Sequence, residues 1–250
     1  MTSQQSLACL AIAAGLGLGG MILSTAAAGT AGTAIEKMPA DLETRFALSA
    51  APAHIRAEAT VYLLDPAKGY EVAKEGSNGV ACMVSRTAWE QAEYRNDIYV
   101  PLCYDAAGVE TYFKVLMDVA ALRIEGLAPE ALKAEIEARY GNGTYTAPEQ
   151  PGLSYMVAPV LRTWMLPDMK VHTRPMPHLM FYAPNLTDKD IAANLAADVS
   201  YPFIFAEGHP AQSYMIQVVG SAESEAILTA EKDLLDKLCA YRDVLCVEER

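Results

Sequence analysis

The chain reads as a single α+β domain, a mostly antiparallel sheet with helices packed on one face, following an apolar leader. Three observations predict this class. Short apolar, aromatic and β-branched runs recur between Gly, Pro and Asn turns. Two stretches carry apolar residues at helical spacing and end on glycine. No internal repeat at a fixed period and no low-complexity segment outside the leader breaks up the chain.

The leader comes first. No Asp, Glu, Lys or Arg precedes Glu36, and residues 7–23 are almost all Ala, Leu, Ile, Gly and Met. Ala26 and Ala28 then supply the small side chains that a signal peptidase accepts, so residues 1–28 are expected to be a signal peptide cleaved after Ala28. An uncleaved anchor is the alternative, because the start lacks a positive charge and the run nearly reaches bilayer length; the poor helix formers Gly15, Gly17, Gly19 and Gly20 weigh against it. Cys9 lies within the run rather than after it, which gives lipid anchoring little support.

Residues 29–56 read as a linker and a short helix, with Leu42, Phe46 and Leu48 spaced for one face and Pro52 as a breaker; residues 57–250 read as the domain. Runs at 60–64, 70–73 and 80–84, with turns at Asp65-Pro66 and Gly76-Ser77-Asn78-Gly79, predict an antiparallel meander. The stretch 89–96 is polar and expected to be loop, and 98–103 a strand beside 80–84. A helix over 115–125 closes at Gly126. The next starts at Pro129, carries Leu132, Ile136 and Tyr140 as a stripe, pairs Glu135 with Arg139 and stops at Gly141. Strands are expected at 154–161, 179–183, 202–206 and 213–219, and a short helix over 187–195 capped by Thr187 and Asp190. A long last helix, 223–242, presents Ile227, Leu228, Leu234, Leu235, Leu238 and Tyr241 to the sheet.

Without the leader about 220 residues remain, enough for one sizeable domain. The formal charge of −12 lies wholly in that part and argues against a nucleic-acid partner, which requires surplus Lys and Arg. A membrane would be met only through the N-terminal segment, if uncleaved. Cys82, Cys103, Cys239 and Cys246 remain, an even set suited to an oxidising compartment. Of three pairings, Cys82 with Cys103 and Cys239 with Cys246 are expected because each pair flanks a local connection; free thiols or a crossed pairing stay open.

Phosphate loops, zinc spacings, the nucleophile elbow and the dinucleotide fingerprint are all missing from the sequence. Three clusters remain. Met169, His172, Met176 and His178 bring thioethers and imidazoles into one short stretch, donors that suit copper. His178 with Glu207 and His209 would form a zinc site or an acid-oriented base if the strands bearing them are neighbours. Phe181, Tyr182 and Asn185, between two prolines, would floor a small-molecule cleft. Ser154 and Ser213 are the conceivable nucleophiles, and Asn142 and Asn185 head glycosylation triplets.

The run Pro-His-Leu-Met-Phe-Tyr-Ala-Pro-Asn at 177–185, with the Cys82 and Cys103 segments ahead of it, resembles a set of exported bacterial proteins that lack an assigned activity. The resemblance covers most of the mature chain, implies export and one domain, and carries over no catalytic residue. The functional expectation is an exported protein, periplasmic or extracellular, binding a small molecule or a protein partner. A metal-dependent hydrolase at the His/Glu rim and a periplasmic copper-binding protein are the alternatives, with zinc or copper as the corresponding cofactor.

Overall fold

Two short helices lead the chain in, α1 (Ala40–Ser49) and α2 (Ala53–Arg56), each directly after a proline, Pro39 and Pro52, whose fixed φ and missing N–H are tolerated at a helix start. The structure is a computed structural model that describes residues 33–165, 168–194 and 200–247, all within the compact unit Gly32–Arg250. The leader read from the sequence lies outside the described residues.

Strands β1 (Thr60–Asp65) and β2 (Gly69–Lys74) form a hairpin whose tight return needs Gly69 at φ +97°. β3 (Ala81–Ser85) and β4 (Val100–Tyr104) follow, then α3 (Ala106–Gly108), a π-helical turn at Val109–Phe113, α4 (Lys114–Ile124) and α5 (Pro129–Gly141). Next come β5 (Leu153–Met156), β6 (Leu161–Met165), β7 (Lys170–Arg174), β8 (His178–Tyr182), β9 (Phe203–Phe205) and β10 (Tyr214–Val218). The chain then runs through α6 (Ser221–Ala230) and α7 (Lys232–Tyr241) into a 3-10 turn at Asp243–Leu245.

Eight strands form one sheet in the order β2-β1-β3-β4-β5-β8-β10-β9, and β6 with β7 makes a separate hairpin joined to it by the Tyr99–Arg162 bridge. The α+β class is as expected, with one departure in topology. The first three strands are not a meander: β3 pairs with β1, in parallel, and β2 becomes an edge. Gly76 marks the reason. A Cβ there would meet the Glu58 carbonyl oxygen at 2.2 Å, because the connection returns tightly across the start of β1 instead of turning beyond β2.

Four further corrections concern boundaries. The run 154–161 divides into β5 and β6 because Ala158, Pro159 and Val160 leave the sheet as buried irregular chain. β7 occupies residues where no strand was expected. The last helix is two, broken at Glu231 (φ −101°, ψ 17°). Residues 187–194 form turns rather than a helix, although Asp190 accepts from Thr187 N and Oγ1 (2.9 and 2.7 Å) as a capping box would; 195–199 lie outside the described residues.

Strand alternation sends β3 to two cores. Cys82 and Val84 pack with Phe46 and Ala47 of α1 and with Leu234 and Leu238 of α7, while Ala81 and Met83 pack with Tyr112 and Phe113 on the opposite face. Helices therefore cover both faces here rather than the one face expected, and all of β3 is buried. Although it opens the described chain, helix α1 belongs to this core, which therefore takes in part of the stretch 29–56 expected to precede the domain. A third cluster joins α4 to α5 through Val115, Val119, Leu132 and Ile136, with Trp89 beneath.

Both disulfides are as expected. Cys82 lies directly opposite Cys103 across β3 and β4, and Cys246 turns back onto Cys239 in the last turn of α7. Their surroundings differ: Cys82 and Cys103 are fully buried, Cys239 and Cys246 half-buried. Thiol exchange requires access to sulfur. Mild dithiothreitol on the folded protein is therefore expected to free Cys239 and Cys246 well before Cys82 and Cys103, read by alkylation and peptide mass; the reverse order would contradict this burial.

Candidate functional site

One long irregular segment, residues 86–99, supplies one wall of a surface cleft, and arginines hold it in place. Arg86, 2% exposed, donates to the carbonyls of Ile98 (2.7 Å), Asn96 (3.1 Å) and Glu36 (3.3 Å) and lies over the Tyr99 ring. Arg123 reaches the carbonyls of Arg95 and Thr33 and stacks on Tyr94; burial lowers its pKa to about 10. Asp97 accepts from Arg95 and Arg162, and these bonds outweigh its burial to bring it to about 2.

Within this segment a 3-10 turn, Trp89–Gln91, ends on Ala92 in the left-handed region at φ +49°. It packs on α5. Trp89 is buried against that helix, its ring 6.3 Å from Tyr140, and Lys133 Nζ donates to the Glu90 carbonyl (3.0 Å). Helix α5 is fixed in turn, since Arg139 bonds Glu135 and Asp118 (2.8 and 2.9 Å) and so ties α5 to α4. Opposite α5 stands the connection from β9 to β10, where His209 meets the Tyr140 ring edge-on at 4.8 Å.

These three pieces enclose a cleft of about 370 Å3 lined by Trp89, Glu90, Lys133, Glu137, Tyr140 and His209, with Gln212 at its rim. Lys133, Glu137 and Tyr140 are one helical face, spaced four and three residues apart. Burial raises the Glu90 carboxyl to about 7, a direction that its own backbone N–H and the Lys133 charge oppose without cancelling. Among the described residues no ion pair reaches the Glu90 carboxyl, because Lys133 is spent on the Glu90 carbonyl and on Glu137 at 3.9 Å. Burial lowers His209, and its Nδ1 accepts from Ala211 N (3.1 Å), so the neutral ring carries its proton on Nε2. Burial also pushes the Tyr140 hydroxyl up.

Of the residues singled out from the sequence, His209 alone belongs to this cleft. His178 and His209 are not brought together. β10 separates β8 from β9, and along β8 the pairs run from Val218↔His178 to Tyr214↔Tyr182, with the His209 connection beyond the Tyr182 end. Four residues of strand, roughly 13 Å at about 3.3 Å each, therefore lie between them. His178 is 3% exposed with Nδ1 on the Met176 carbonyl (2.7 Å), and burial lowers its pKa. Glu207 faces Asp188 instead, and partial desolvation with a hydrogen bond between the two carboxyls raises it.

The Met/His set is likewise spread out. Met169 sits exposed at the tip of the β6–β7 hairpin, and Met176 lies beyond the other end of β7, packed on the second core. His172 Nε2 pairs with Asp168 at 3.0 Å. Among the described residues no three His, Cys, Asp or Glu side chains form a group able to hold a metal ion.

Phe181, Tyr182 and Asn185 do not share a pocket. Tyr182 turns into the core, its hydroxyl donating to Asp105 Oδ1 (2.8 Å) against the Tyr112 and Tyr214 rings; adjacent Phe181 takes the other face, and Asn185 sits exposed in a turn. Asp105 also accepts from Gly108 N and Leu153 N, so this network locks β4, β5 and β8. Ser154 is fully buried, and Ser213 Oγ is spent on the carbonyls of Ala206 and His209 (2.5 and 2.9 Å).

Sequence reasoning missed Trp89, Glu90, Lys133, Glu137 and Tyr140 as one site. The stripe 133/137/140 beside the buried stripe of the same helix is the signal that was there; nothing local indicates that 89–91 packs on it. Comparison with protein-family models, with curated proteins and with solved structures finds no match for this chain, so the site is read from its own geometry.

Proposed function

We propose that this chain is an exported, disulfide-locked protein that binds a small organic molecule in the cleft between the Trp89–Gln91 turn, α5 and the His209 connection. One observation carries the reading. The Glu90 side chain is half-buried and, among the described residues, has no ion-pair partner, in a concave space walled by Trp89, Tyr140 and His209. A buried ionisable group with no partner costs stability, and such groups concentrate where ligands are bound. The cleft is also preformed, since Arg139, Lys133 and the arginines around 86–99 hold its walls independently of any ligand.

Export is supported by the two disulfides, which form and persist in oxidising compartments. No helix among the described residues is long and apolar enough to cross a membrane. The leader and the resemblance to exported bacterial proteins agree with that reading. Protein recovered from outside the cytoplasm is expected to begin at Gly29.

Screening a mixed fragment library against 15N-labelled protein tests the site. Shifted amides are expected to cluster at Trp89, Glu90, Lys133, Tyr140, Gly141, His209 and Gln212. Shifts confined to a second groove, lined by Arg162, His172, Arg174, Asp243 and Val244, would overturn the assignment.

A further inference from the structure

We propose that the ligand of this cleft is an organic cation, a small molecule whose ammonium head lies against the Glu90 carboxyl and the neighbouring Trp89 and Tyr140 rings. The inference rests on the cleft being the binding site and names what enters it.

Charge counting inside the cleft carries the argument. Lys133 and Glu137 stand 3.9 Å apart and offset one another, and His209 is neutral. The lining residues then carry one net negative charge, and Glu90, whose carboxylate the Lys133 charge favours only in part, has no ion pair among the described residues. A bound cation offsets the penalty of ionising Glu90 with a full opposite charge, which an anion cannot do and a neutral donor does only through a hydrogen bond. The walls favour the same charge: an aromatic face attracts a cation, and two rings here, 6.3 Å apart, border the carboxyl's turn. An anion would meet both Glu90 and Glu137.

Affinity should then follow the protonation of Glu90. The charged and titratable groups around it are Lys133, Glu137 and Tyr140 from α5, Tyr104 from β4 and His209 from the β9–β10 connection. Burial holds His209 below its ordinary value of 6.5 and raises both tyrosines, which leaves Glu90 as the group titrating near neutrality. Cation binding strengthens as pH rises through about 7, because the carboxylate form is the one the cation stabilises.

The test uses the full mature protein with Trp164→Phe, leaving Trp89 as the sole tryptophan of the two in the chain. Its fluorescence is titrated with tetramethylammonium, choline and butylamine, and with 3,3-dimethylbutan-1-ol as the uncharged analogue of choline. At pH 8 choline is expected to bind about tenfold or more tightly than the alcohol, and to lose about tenfold by pH 5.5. Glu90→Gln is expected to remove the preference and leave the alcohol unchanged, with circular dichroism confirming the fold. If the alcohol or acetate perturbs Trp89 as strongly as the three cations, the cationic ligand is wrong and the cleft stands. If none of these compounds, charged or neutral, perturbs Trp89, the cleft assignment falls with it.

Discussion

Replacing Arg86 by Ala is expected to lower the unfolding free energy by about 3–5 kcal/mol, near the upper end of single-residue effects. Arg86 is 2% exposed, and its guanidinium supplies the carbonyls of Ile98, Asn96 and Glu36 while covering Tyr99. Removing it leaves the buried Ile98 carbonyl without its side-chain donor, while the Asn96 carbonyl keeps Arg242. A second cost falls on Glu43, 1% exposed, whose pKa burial already raises and which the Arg86 charge partly offsets. Lysine is not expected to rescue the change, because one ammonium cannot span acceptors that a planar fork reaches. Urea unfolding reads this directly: the midpoint should fall with little change in slope. A loss below about 1 kcal/mol would mean that segment 86–99 is held by something other than this side chain.

The other large effect concerns the buried disulfide. Cys82→Ala with Cys103→Ala opens a bridge of sequence separation 21, for which the chain-entropy account gives about 3 kcal/mol. The same change at Cys239 and Cys246, separation 7, should cost less, about 2.5 kcal/mol. Unfolding under non-reducing conditions tests the order. If the short bridge proved the more important, the C-terminal turn and not the β3–β4 pair would be the main covalent restraint.

Local chemistry made some of this molecule legible and left the rest hidden. Helix α5 was readable because Pro129, Gly141, the Leu132/Ile136 stripe and the Glu135–Arg139 pair all agree, and each is a nearest-neighbour effect. Cys82 and Cys103 were readable as a pair because adjacent strands with complementary alternation place them opposite. The parallel pairing of β1 with β3 was not readable, since it depends on the chain returning past Glu58 and not on any turn residue. Strand β7 was hidden by its own polarity: none of its residues is fully buried, so no alternation marks it.

The site was illegible for a related reason. Its residues come from three places far apart in sequence, and the polar segment around Glu90 looked like an ordinary solvated loop. What makes Glu90 unusual is its partial burial in the cleft beside Trp89 and α5, a tertiary effect. His209 was found, but with the wrong companions, because sheet order decides its neighbours and β10 intervenes.

Titrating the Glu90 side-chain carboxyl by 13C NMR addresses the central claim without any ligand. A midpoint at about 7 is expected, against the ordinary 4.5. Because the folded value is the higher one, ionising Glu90 opposes folding, so the stability it allows is full below about 4.5 and declines as pH rises toward 7. A midpoint near 4.5 would show a solvated or paired carboxylate, and the cleft would then have no uncompensated charge for a ligand to meet.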